Sequence, residues 1–132
     1  GKMAEVIEIF DPSDFNAKFD PLKASEEFLL LVFTGSSDPE TGASWCPDCV
    51  NAKPAINDIL IKNAKSKVII CYVKDKETWK AQDHPYRVHP LLKVSGVPTV
   101  ILLREGQPLM KIDQDEDFKN EQKLMFLATH DE

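Results

Sequence analysis

Residues Phe28 to Thr34 read FLLLVFT, a run without a charge, a glycine or a proline, closed at once by Gly35. A strand with one wet face alternates apolar and polar residues. This run cannot turn either face to water without exposing large side chains. Its length and flanks suit a strand covered on both sides rather than a helix. A chain built around such a strand needs a layer above and a layer below it, which narrows the choice to α/β architecture. Val68 to Val73 (VIICYV) and Thr99 to Leu103 (TVILL) fit the same sheet. Val6 to Phe10 suggests a first short strand closed by Asp11-Pro12, and Gly106-Gln107-Pro108 reads as a turn into a last strand over Leu109 to Ile112.

The helices fall between these runs. Ser13-Asp14 signals a helix start, with a short helix from Phe15 to Phe19 ending before Pro21. A second helix starts at the Cys46-Cys49 pair and shows an apolar face at Ala55, Ile56, Ile59 and Leu60, with a kink expected at Pro54. Lys74 to Pro90 is polar with scattered aromatics and suggests one helix plus an irregular return. From about Asp115 an acidic start leads into a C-terminal helix carrying Phe118, Leu124 and Leu127. Early alternation of strands and helices demands parallel crossovers, and the closing turn demands an antiparallel pair. The expected fold is a central mixed sheet flanked by helices on both faces, with reactive loops at the strand carboxyl ends. A length of 132 residues suits one domain over the whole chain. Gly1 and Lys2 ahead of Met3 read as a cloning remnant.

Charge and cysteine use bound the function. A formal net charge of -6 repels phosphate backbones, so nucleic acid is a poor partner. No apolar run is long enough to span a bilayer and no secretory leader opens the chain, so a cytoplasmic protein is expected. Three cysteines, two of them three positions apart, suit a reducing cytosol with one working pair better than a secreted disulfide scaffold.

That pair sits in SWCPDCV, Ser44 to Val50. A cysteine at a helix start faces unpaired backbone amides and the positive end of the helix dipole, which favour the thiolate, the reactive form. A second cysteine one turn later lies within disulfide reach. Cys46 is therefore expected to attack a substrate disulfide and Cys49 to resolve the mixed disulfide. Pro47 has no amide hydrogen to lose in the first turn, and Trp45 offers apolar surface beside the nucleophile. Structural zinc usually needs four ligands, and only one such pair is present, Cys71 lying mid-strand among apolar residues. A staple across three residues closes a tiny loop and stabilises little.

With FTGS at Phe33 to Ser36, WCPDC at Trp45 to Cys49, Trp79-Lys80 and Val97-Pro98-Thr99, nearly the whole chain resembles the thioredoxin superfamily, and within it the small cytosolic thioredoxin domain-containing protein 17 subfamily. The resemblance implies a thioredoxin fold. It implies a cis Val97-Pro98 bond facing the dithiol, with Val97, Pro98 and Thr99 forming a substrate groove beside Trp45 and Pro47. It implies a monomeric disulfide reductase that binds no cofactor of its own. Electrons would come from NADPH through thioredoxin reductase and go to small disulfides such as cystine, nitrosothiols and selected protein disulfides. Val32 stands where thioredoxin carries a buried Asp, and Lys111-Ile112-Asp113-Gln114 replace a glycine-containing groove segment.

Proton handling must then come from water or from Asp48. Asp48 is either an ordinary acidic residue of a first helical turn or the acceptor of the Cys49 proton. The loop Ser36 to Ser44, longer than in thioredoxin, is a solvated insertion or an element that narrows access to Cys46 and excludes large folded clients. Cys71 is expected to be an inert core residue, Trp79 and Tyr86 to be packing, and no spacing singles out His84, His89 or His130. The rival function is a thioredoxin-fold interaction module for signalling partners, with its redox chemistry incidental.

Overall fold

The computed structural model describes residues 4–131, so the reading of Gly1 and Lys2 falls outside it. Strand β1 (Val6–Ile9) leads through a 3-10 turn into helix α1 (Phe15–Ser25), then β2 (Phe28–Gly35), α2 (Pro47–Pro54) and β3 (Lys67–Val73). Two short helices, α3 (Lys76–Lys80) and α4 (Pro85–Val88), precede β4 (Thr99–Arg104), β5 (Gln107–Ile112) and α5 (Glu121–Thr129). The sheet order is β1-β3-β2-β4-β5. β3 runs parallel to β1 and β2, and β4 is antiparallel to β2 and β5. This is the expected mixed sheet, with β2 at its centre.

The central position of β2 explains its unbroken apolar run. Leu29, Leu31 and Phe33 face one way, against Phe15 and Phe19 of α1 and Tyr86 of α4. Leu30 and Val32 face the other, against Ala52 of α2, Ile56 and Leu60 beyond it, and Leu124 and Leu127 of α5. Each such side chain contributes about 1.5–3 kcal/mol through burial. Polar residues at alternate positions would have forfeited that on one face.

Five boundaries differ from expectation. α1 continues through Pro21 to Ser25, because Phe15 and Phe19 anchor it to the core while Pro21 and Ala17, whose carbonyl Pro21 leaves without its helical N–H partner, are both exposed to water. At Pro54 the second helix passes into a π-helical stretch, Ala55–Ile61, which keeps Ile56 and Leu60 buried. Lys74 to Pro90 holds two short helices, capped separately by Asp75, which accepts the Thr78 N–H at 2.8 Å, and by His84. The C-terminal helix is broken in two. A 3-10 turn, Asp115–Lys119, ends at Asn120, which caps α5 by accepting the Lys123 N–H at 3.1 Å. The β4–β5 turn is Glu105-Gly106, both at positive φ, so Pro108 falls inside edge strand β5 beside a register shift.

Candidate redox site

β2 ends at Gly35, and the chain leaves the sheet through Ser36 to Ser44. That segment is a closed hairpin, with Ser37 bridged to Ser44 and the Asp38 N–H donating to the Ala43 carbonyl at 2.8 Å. It returns the chain to Gly35. The Ser44 hydroxyl donates to the Gly35 carbonyl at 3.4 Å and accepts the Cys46 N–H at 3.2 Å. Trp45 is anchored by its indole N–H, which donates to the Val73 carbonyl at 3.0 Å.

Cys46 lands at the N-cap of α2, with Pro47 and Asp48 in the first turn, both exposed. Its sulfur accepts the Cys49 N–H at 3.1 Å. That donor is one of the amides a helix start leaves unpaired, so negative charge on this sulfur is favoured. Cys46 and Cys49 are joined in a disulfide with Cα atoms 5.2 Å apart, and are only 5% and 4% exposed. The Gly35 N–H donates to the Cys49 sulfur at 3.3 Å. Gly35 has no room for a side chain: a Cβ there would lie 2.9 Å from Cys46 Cβ and 3.0 Å from Trp45 Cε2. Gly35→Ala is therefore expected to cost about 1–3 kcal/mol in a denaturant titration and to slow disulfide turnover, because the backbone must shift beside both sulfurs.

Opposite the pair, the Val97–Pro98 peptide is cis, and the Cys46 sulfur lies 3.6 Å from the Val97 carbonyl oxygen. Val97 is half-buried and Pro98 buried. Thr99 is fully buried, and its hydroxyl donates to the Gly96 carbonyl, so its side chain holds the loop and does not line a groove. Two cations hold the same loop. Arg87 donates from Nη1 to the Ser95 carbonyl at 2.9 Å and from Nε to the Trp79 carbonyl at 2.7 Å, its guanidinium 3.9 Å from the Trp79 ring centroid. Lys111 Nζ donates to the Lys93 carbonyl at 3.0 Å. Sequence reasoning missed Gly35, Ser44 and Arg87. A glycine ending a buried strand and a hydroxyl two residues before Cys46 were readable signals; nothing local marks Arg87.

The histidines also carry structural roles the sequence did not single out. His84 is buried, and its Nδ1 accepts the Tyr86 N–H at 3.1 Å. His89 Nδ1 accepts the Leu91 and Leu92 N–H groups at 3.2 and 3.3 Å. Both caps require an unprotonated Nδ1. Burial holds both imidazoles below the usual histidine value, with the Arg87 charge adding at His84 and Asp83 opposing it. At His89, Asp20 opposes the burial effect and Lys23 adds to it. The unfolded chain therefore binds more protons in mild acid. The stabilisation is complete above about pH 6.5 and is lost as pH falls from there through the lowered folded values. Thermal unfolding should show Tm falling as pH drops below about 6.5, and His84→Asn with His89→Asn should flatten that slope, since Asn accepts without titrating.

Cys71 is a free thiol, fully buried, and burial pushes its pKa far up, so it is inert. Tyr86 and Trp79 are buried packing residues, as expected. The Ser36 to Ser44 hairpin ends on Ser44, against Gly35 and Cys46. It borders a cavity of about 560 Å³ whose lining includes Cys49 and Val32 but not Cys46. Among the described residues no helix is long and apolar enough to cross a membrane, and no three His, Cys, Asp or Glu side chains cluster as metal ligands would.

A dithiol capping the helix that follows the central strand, facing a cis-proline loop across a mixed sheet, places the chain among thioredoxin-fold thiol–disulfide oxidoreductases. A family profile described as "Thioredoxin domain-containing protein 17-like, thioredoxin domain" matches residues 9–129, and the chain belongs to that family. The thioredoxin-like protein Clot of Oryza sativa subsp. japonica is 36% identical over 114 residues, covering 79% of this chain and 82% of the relative. Thioredoxin domain-containing protein 17 of Danio rerio is 41% identical over 92 residues, covering 69% of this chain and 70% of the relative. Among solved structures, thioredoxin from Trypanosoma brucei brucei shares the fold with a TM-score of 0.60 at 16% identity, covering 94% of this chain and 91% of that one.

Proposed function

We propose that the chain is a monomeric cytoplasmic disulfide reductase whose Cys46–Cys49 dithiol accepts electrons from NADPH through thioredoxin reductase, and that it binds no cofactor itself. The observation that carries this reading is the Cys49 N–H aimed at the Cys46 sulfur at 3.1 Å. With the pair reduced, the Cys46 thiolate attacks one sulfur of the substrate, forming a mixed disulfide and releasing one substrate thiolate. The Cys49 thiolate then attacks the Cys46 sulfur, releasing the second thiolate and leaving the Cys46–Cys49 bond seen here. Two electrons pass from the dithiol to the substrate, and the reductase restores them.

Both cysteines are nearly covered, which favours small or flexible disulfides such as cystine, and selected protein disulfides with an exposed segment, over large folded clients. The test is NADPH consumption with thioredoxin reductase, comparing cystine with insulin as acceptor. The expected result is faster consumption with cystine and none with Cys46→Ser. Consumption by Cys46→Ser equal to wild type would defeat the reading, and retention of a bound partner by that variant without any wild-type turnover would favour the interaction-module alternative.

In this scheme Asp48, exposed in the first turn beside Cys49, takes the Cys49 proton. Asp48→Asn should slow resolution of a preformed mixed disulfide about tenfold or more while leaving its formation intact. Unchanged resolution would reduce Asp48 to a residue that suits the helix start.

A further inference from the structure

The cavity behind the dithiol has no part in the exchange chemistry above. Its floor is Val32, Ile56 and Ile70, on the opposite face of the sheet from Phe33, and Cys49 forms part of its wall. Its volume of about 560 Å³ is in the range of small-molecule pockets. One flank is the closed Ser36 to Ser44 hairpin, and the other is the second helix, which contributes Lys53 and, one turn on, Asn57. Phe10 and Tyr72 also line it, stacked with ring centroids 4.9 Å apart, and Phe10 is 67% exposed. A stacked aromatic pair with one ring open to solvent offers a flat apolar face that nothing among the described residues covers.

The side chains that line this cavity do not share the acidic balance of the chain. Acids outnumber Lys and Arg by 22 to 16 in the sequence, yet the lining contains Lys53 and no Asp or Glu. Glu8, beside the rim, is engaged by the Tyr72 hydroxyl, which donates to it at 2.6 Å. Among the described residues Lys53 has no carboxylate within ion-pair distance. The hydroxyls of Ser36 and Ser37 and the amide of Asn57 add neutral polar groups to the same walls.

We propose that this cavity binds a small organic anion, an aryl or alkyl body with a single carboxylate. The body would lie on Val32, Ile56 and Ile70 against the Phe10–Tyr72 stack, and the carboxylate would meet Lys53 and Asn57. Such a ligand would cover the Cys49 wall from behind and displace water there. Its presence would restrain the resolving thiol, and through it turnover of the dithiol; that consequence alone rests on the proposed reductase activity.

The experiment titrates 4-phenylbutyrate into the oxidised, isotopically labelled chain and follows backbone amide shifts, with 4-phenylbutan-1-ol as the neutral counterpart. Saturable shifts centred on Lys53, Asn57 and Ile70 are expected, with the alcohol binding about fivefold more weakly, as befits one exposed ion pair. Lys53→Gln, an exposed helix substitution, should remove the preference for the acid. Ile70→Trp should fill the floor and abolish binding of both; if it fails to fold, Ala43→Trp fills the cavity from the exposed hairpin side. Absence of saturable shifts at those amides, equal binding of acid and alcohol to wild type, or an unchanged preference in Lys53→Gln would each overturn the proposal. The binding readout needs no redox turnover, so its failure is separable from failure of the reductase reading.

Discussion

Cys49→Ser should stop turnover and leave a mixed disulfide standing on Cys46. The first step survives the substitution, because the donor that favours charge on the Cys46 sulfur is the backbone N–H of residue 49, which serine retains at the same place in the helix. The second step does not, because a serine hydroxyl does not displace a thiolate from a disulfide. Intact mass after brief exposure to cystine should show one added half-cystine on the variant and none on wild type, which resolves to its internal bond. Sustained turnover by Cys49→Ser would mean that resolution comes from outside the chain.

Phe33→Ala should be the most damaging single core substitution near the site, costing about 3–5 kcal/mol. Phe33 is fully buried in the central strand, with the Tyr86 ring edge-on at 5.0 Å and the Phe15 ring at 6.3 Å. It pairs in register with Cys71 on one side and Thr99 on the other. Truncation leaves a cavity bounded by three elements that cannot all move inward. Against a typical net stability of about 5–15 kcal/mol, that loss is about a fifth or more of the total. The denaturant midpoint should fall with an unchanged slope; a loss below about 1 kcal/mol would show that the core closes over the gap.

How far the sequence could be read follows from which contacts are local. FLLLVFT announced a central strand because β2 is buried on both faces, and a pattern that leaves no wet face has few other uses. The dithiol was legible because N-cap chemistry needs only the spacing Cys46, Pro47, Asp48, Cys49, and the cis proline because Val97-Pro98-Thr99 matches a known motif. Pro21 misled because its cost is local while the anchoring of Phe15 and Phe19 that offsets it is tertiary. The helix break at Asn120 and the two caps made by His84 and His89 looked like unremarkable polar positions, since a capping side chain differs from a solvated one only in where the backbone brings it. The cavity was invisible for a stronger reason. Val32, Ile56 and Ile70 come from three elements, and no pattern within one of them records a space left between all three.

The central claim is that Cys46 ionises readily because it caps a helix. The direct measurement is the pH dependence of iodoacetamide alkylation of the reduced chain, resolved by peptide mapping. Cys46 is expected to reach its half-maximal rate well below the value of about 8.5 for a free cysteine, with Cys71 unmodified throughout. A Cys46 that titrates like a free thiol, or reacts no faster than Cys71, would contradict the account.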